Sequence, residues 1–196
     1  MPPKKESSER RGLDEHGIIF LSGGIDGGKA ESICEKIIEF NVGHEVDLIQ
    51  LMINSGGGEC AAGFGVIDLM DWSRLPVYTT GVGMVASMAL AVFMAGEPGH
   101  RVLTPRTSVL SHRFSALSFG NHSELVARRK EEDLLHRRLV DHYLAFSNLT
   151  SEEEVTERLL SNVDTWLTPE EAVEVGIADK VQQDRPARRS GVEVRR

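Results

Sequence analysis

The sequence is poor in cysteine, short of positive charge and without an apolar run long enough to cross a membrane. Its two cysteines, Cys34 and Cys60, stand at no metal-type spacing. The first fifteen residues lack the apolar core of a secretory signal. No oxidising compartment is implied, so the thiols read as free and the chain as cytoplasmic. The sequons Asn121-His122-Ser123 and Asn148-Leu149-Thr150 are then incidental. A net charge of -8 argues against non-specific nucleic-acid binding. The most apolar stretch, Ala86 to Ala95, is interrupted only by Ser87. It falls well short of the roughly 20 residues that span a bilayer, so it reads as a buried core helix.

What is present suits one globular domain: 196 residues, 40% hydrophobic and 27% charged. Residues 1–16 show no apolar periodicity and read as a flexible segment, 17–182 as the folded domain, and 183–196 as a disordered basic tail. Gly17 to Leu21 is a short apolar run that predicts a strand, followed by a helix over Lys29 to Phe40. Val46 to Ile53 predicts a second strand and Glu59 to Trp72 a second helix. Val77 to Thr80 predicts a third strand, ending at Gly81 and Gly83 and leading into the Ser87 helix. Strand alternating with helix three times predicts an α/β fold with a parallel sheet covered on both faces. Arg101–Thr104 and Ser108–Ser111 read as two short strands around a turn. His122 to Phe146 reads as a long, charged helix that protrudes or meets another subunit. Thr150 with Glu153, and Thr168 with Pro169 and Glu171, read as helix-opening capping boxes. Gly176 closes the second of these helices, and Ile177 to Val181 reads as a last strand.

Ser87, His112 and Asp164 each fall where a strand meets a turn or a helix. Functional groups gather at the carboxyl ends of parallel strands. A hydroxyl needs a base to become a nucleophile, and the base needs a carboxylate to orient it. Helix capping is the alternative use of a Ser at Ser87. With seven His and 30 acidic residues, order alone does not choose between these uses.

Five blocks do. Ile18-Ile19-Phe20-Leu21-Ser22-Gly23-Gly24-Ile25-Asp26, Ile53-Asn54-Ser55-Gly56-Gly57-Gly58, Gly83-Met84-Val85-Ala86-Ser87-Met88, Ser108-Val109-Leu110-Ser111-His112 and Asp164-Thr165-Trp166-Leu167-Thr168-Pro169-Glu170-Glu171-Ala172 occur in this order. Together they resemble the proteolytic subunit of Clp protease, the ClpP family of serine peptidases. The resemblance implies a ClpP/crotonase-like fold of strand–helix units with a protruding helical handle. It implies a serine endopeptidase with Ser87 as nucleophile, His112 as base and Asp164 as its orienting carboxylate. The backbone N–H groups of Gly58 and Met88 would form the oxyanion hole. No cofactor or metal is implied. The partners implied are further copies of the chain in stacked heptameric rings, an AAA+ unfoldase and unfolded polypeptide substrate, with neither nucleic acid nor membrane.

The chain departs from that pattern in places. Gly56 replaces a Pro, and Arg113-Phe114 replace Gln-Pro. Gln50 and Met52 replace tyrosines on the strand that receives the unfoldase, and Val163 replaces an Arg before the acid. Weak coupling to a standard unfoldase is the expectation. A crotonase-type acyl-CoA enzyme and a non-catalytic ring subunit are the alternatives. Gly23 to Ala30 approaches a phosphate-binding loop but has Ala30 where magnesium needs Ser or Thr. His136 and His142, six apart, do not share a helix face well and read as a solvated face.

Overall fold

The computed structural model describes residues 11–43, 45–115 and 119–182. Residues 1–10 and 183–196, which hold most of the N-terminal segment and the basic tail, lie outside the described residues. A short helix α1 (Arg11–Asp14) precedes β1 (Ile18–Ser22), α2 (Gly27–Gly43), β2 (Ile49–Ser55), α3 (Cys60–Trp72) and β3 (Val77–Ala86). Then come α4 (Met88–Met94), β4 (Arg101–Leu103), β5 (Ser108–Ser111), α5 (His122–Ala145), α6 (Glu152–Arg158), β6 (Thr165–Leu167), α7 (Pro169–Glu174) and β7 (Lys180–Val181).

The sheet runs β1-β2-β3-β4-β7, all parallel. β3 is longer than its apolar run suggests. It continues through Gly81 and Gly83, because these glycines serve packing and not chain reversal. A Cβ on Gly81 would meet the Leu103 and Val85 side chains at 2.6 and 2.7 Å. Gly83 has φ 68° and lies against the Asn54 amide, whose Oδ1 accepts from Met84 N. The added length gives β3 two partners on one side. β4 pairs with its first half and β5 with its second, so β4 and β5 are not a hairpin.

Burial alternates along β1 and β2. Leu21, Leu51 and Ile53 face the core; Phe20 on the other side is 50% exposed, and Gln50, Met52, Tyr78 and Thr80 are only half-buried. The expectation of a sheet covered on both faces is met only in part: among the described residues the second face is partly sheltered, with Tyr78 stacked on His100 and Phe20 left exposed. The covered face carries α4, whose residues Met88 to Met94 are all buried, as an all-apolar helix requires.

α5 opens on a capping box between Asn121 and Glu124. Its buried residues, Leu139, Val140, His142 and Tyr143, all lie in its final turns. Residues 122–131 are exposed, so that end projects. No strand accompanies it among the described residues between Ser111 and His122. The helix after it is capped one residue later than expected: Ser151 accepts from Glu154 N, and the Glu154 carboxylate accepts from Thr150 N. The box at Thr168 and Glu171 stands as expected, and Gly176 follows α7 with φ 82°. The last strand is only Lys180–Val181. Arg101 binds the Asp179 carboxylate through Nε and Nη2 and donates to the Phe146 carbonyl, tying β4 to the approach to β7 and to the end of α5.

Candidate active site

Strand register brings the three candidate residues together. In the parallel pair β3–β5, Ala86 stands beside Leu110. Ser87 follows Ala86, and its N–H donates to Leu110 O at 2.9 Å. In the antiparallel pair β5–β6, Ser111 stands opposite Thr165. One step further, His112 faces Asp164. Three strand ends thus deliver three side chains to one edge of the sheet.

Ser87 has φ 55° and ψ -128°, the one positive φ outside glycine among the described residues. Such a conformation costs on the order of 1–3 kcal/mol and persists only where the surroundings impose it. It is the sharp strand-to-helix turn that lifts a hydroxyl clear of the sheet. Ser87 occupies the N-cap position of α4, yet its side chain caps nothing. Its Oγ lies 2.8 Å from His112 Nε2 instead. The capping alternative therefore fails on geometry.

His112 Nδ1 lies 3.8 Å from Asp164 Oδ1. That exceeds the roughly 3.2 Å limit of an N–H···O bond. The imidazole is half-sheltered and the carboxylate 59% exposed. Catalytic hydrogen bonds are often long before substrate arrives.

The glycine loop lies on the other side of Ser87. A Cβ on Gly57 (φ 91°) would meet Ala86 O, Ser87 Cβ and Met88 N within 2.9 Å. Gly58 bridges to Ile25 in parallel fashion: Ile25 N donates to Gly57 O, and Glu59 N donates to Ile25 O. This pattern uses the groups flanking Gly58 and leaves its own N–H outside the pairing. Met88 N stands at the first position of α4, where helix N–H groups have no internal acceptor.

Two other candidate motifs are used structurally. The Asp26 carboxylate accepts from Lys29 N at the start of α2, so the phosphate-loop-like stretch caps its helix with its own anion. His136 lies 3.9 Å from Glu152, whereas His142 is buried and donates from Nε2 to Ala91 O. The solvated-face reading thus fails for His142. A cleft of about 320 Å³ opens beside His112, between Arg113–Phe114 and the Arg129, Asp133 and His136 side of α5. A larger hollow of about 450 Å³, lined by Asp71, Arg74 and Glu97, lies at the amino end of β3, away from Ser87.

Sequence reasoning missed the residues that brace this site. Ser111 is fully buried, and its Oγ lies 2.8 Å from the Tyr143 hydroxyl. The available signal was a second hydroxyl in β5, two residues from the buried Val109 and so on the same inward face.

A family model described as Clp protease matches residues 4–185. The chain belongs to the Clp protease family. It is 33% identical to the ATP-dependent Clp protease proteolytic subunit of Deinococcus radiodurans over 178 residues, which are 90% of this chain and 85% of that protein. Membership in the Clp protease family makes the chain a serine endopeptidase with the mixed α/β fold described above. No described helix is long and apolar enough to cross a membrane.

Proposed function

We propose that Ser87, His112 and Asp164 are the catalytic triad of this peptidase, with the N–H groups of Gly58 and Met88 as its oxyanion hole. One observation carries the reading: an uncapping Ser in a strained turn, 2.8 Å from an imidazole nitrogen. Ser87 Oγ attacks the peptide carbonyl carbon while its proton passes to His112 Nε2. That nitrogen must be bare beforehand, so the ring proton sits on Nδ1, towards Asp164. The negative carbonyl oxygen is met by the two N–H groups, each worth roughly 3–4 kcal/mol where such donors have been removed. His112 then protonates the leaving amine. Water, deprotonated by the same ring, releases the acyl group from Ser87.

The substrate is unfolded polypeptide or peptide, entering a chamber formed by further copies of the chain in stacked heptameric rings. The D. radiodurans relative is named as an ATP-dependent enzyme. For this chain, ATP would act through an AAA+ unfoldase docked on the ring.

A fluorophosphonate probe tests the triad. Ser87 takes the label, and Ser87→Ala abolishes both labelling and peptide cleavage; labelling that survives the substitution refutes the nucleophile. Asp164→Asn lowers kcat by up to about 10⁴-fold, as loss of the orienting carboxylate does in other triads. An unchanged rate would remove Asp164 from the mechanism.

A further inference from the structure

The root of α5 touches both halves of the site through adjacent residues. His142 Nε2 donates to Ala91 O of α4 at 2.8 Å, and that carbonyl also accepts from Ala95 N. This fixes α5 against the helix that begins at Ser87. Tyr143 is buried, with its hydroxyl 2.8 Å from Ser111 Oγ on β5. Ser111 immediately precedes His112. β5 is only four residues long and ends at Ser111, and its partner β6 has only three. Backbone pairing holds this corner by few bonds. The phenol–hydroxyl contact ties α5 to the end of β5, the neighbouring His142 bond ties α5 to α4, and together they fix where β5 ends relative to α4.

We infer that Tyr143, acting through Ser111, is a positioning residue that sets the distance between His112 and Ser87. The inference rests on the triad reading. Neither hydroxyl touches substrate. Burial pushes the Tyr143 phenol up to about 12, so it keeps its proton across any working pH. The link therefore acts as a fixed spacer and not as a proton relay. A buried hydroxyl left without its partner costs stability, whereas removing both partners together largely avoids that cost. Misplacing a reacting group by about 1 Å costs up to roughly 10²-fold in rate. Stability and rate can thus be separated.

The experiment compares Tyr143→Phe, Ser111→Ala and the double variant. It measures kcat and KM on a peptide, the rate of fluorophosphonate labelling and the melting temperature. Each single variant is expected to lose about tenfold in kcat and in labelling rate, with KM unchanged. The double variant recovers most of the melting temperature lost by the singles, but not the rate. If kcat recovers together with stability, or if folded single variants turn over at the wild-type rate, the inference is overturned. Should one single variant fail to fold, the other and the double still decide. Ser87→Ala runs alongside. Turnover that survives in Ser87→Ala refutes the triad reading itself, whereas a silent Ser87→Ala with a fully active double variant refutes only the role of Tyr143.

Discussion

At the residue scale, the site is built from side chains that decline their ordinary uses. Ser87 stands at a helix N-cap and does not cap. His142 sits in a charged helix and yet is buried among the rings of Phe64, Tyr143 and Phe146. Its surroundings have a measurable consequence. Burial holds its pKa at about 4, although the bond to Ala91 O works in the opposite direction. An unfolded His titrates near 6.5. Between these values the unfolded chain binds a proton that the folded chain refuses, so stability falls as pH falls through this window. Going from pH 7.5 to 5, His142 should remove about 2 kcal/mol. The lowered carboxyl of Asp179, beside Arg101, acts in a different range: its contribution is intact above its unfolded pKa and is lost only in more acid solution. Urea unfolding at both pH values, at fixed chain concentration, should show the full loss in wild type and a loss smaller by about 2 kcal/mol in His142→Gln. Equal losses in the two proteins would mean that His142 does not set the acid sensitivity.

At the element scale, what was legible in the sequence was local. The strand–helix alternation and the Thr168–Glu171 cap follow from patterns within a few residues. The cap before α6 is ambiguous in sequence because Thr150–Glu153 and Ser151–Glu154 both satisfy the pattern, and only the geometry selects Ser151. The length of β3 was hidden because a glycine in sequence looks like a break, and only Leu103 and Asn54 reveal why Gly81 and Gly83 are tolerated in a strand. The triad candidates were legible by resemblance, but the Ser111–Tyr143 link, 32 residues apart, has no local signature. The outer face of the sheet carries a further prediction. Phe20 pairs in register with Met52, and Gln50 with Tyr78. The Gln50 amide donates to Tyr78 O and Thr80 Oγ1, so its polar end is tied to its own sheet and not offered to a partner. Aromatic anchors at such docking sites often contribute about 2 kcal/mol or more, and Met52 is adaptable but poorly orienting. A standard AAA+ unfoldase with ATP should therefore degrade a folded, tagged substrate slowly with this chain. Gln50→Tyr combined with Met52→Tyr should speed it. Efficient degradation by wild type, or no gain in the double variant, would place the control of coupling elsewhere.

At the scale of the whole molecule, the chain leaves surfaces that a finished particle would cover. Parallel sheets are normally buried on both faces, and here, among the described residues, one face is only partly sheltered. The free end of α5 is another such surface. Leu125 is 40% exposed and Val126 58%. On a helix, Leu125 continues the stripe of Leu139 and Tyr143, but beyond the point where the body of the protein reaches it. An apolar stripe running past the core is explained if α5 of one copy packs against α5 of another, as in the stacked rings proposed above. Charge placed on that stripe should then oppose stacking more than ring closure, because burying an unpaired carboxylate costs several kcal/mol. Light scattering of wild type should give a species fourteen times the 21.6 kDa chain mass. Leu125→Glu with Val126→Glu should give one close to half that size, at the same chain concentration and salt. The residues altered lie far from the buried root of α5, so the melting temperature of the individual chain is expected to stay within a few degrees. A wild-type protein that remains monomeric at every salt concentration would refute the assembly. A full-sized particle from the double variant would leave the assembly standing and move the contact between rings away from α5.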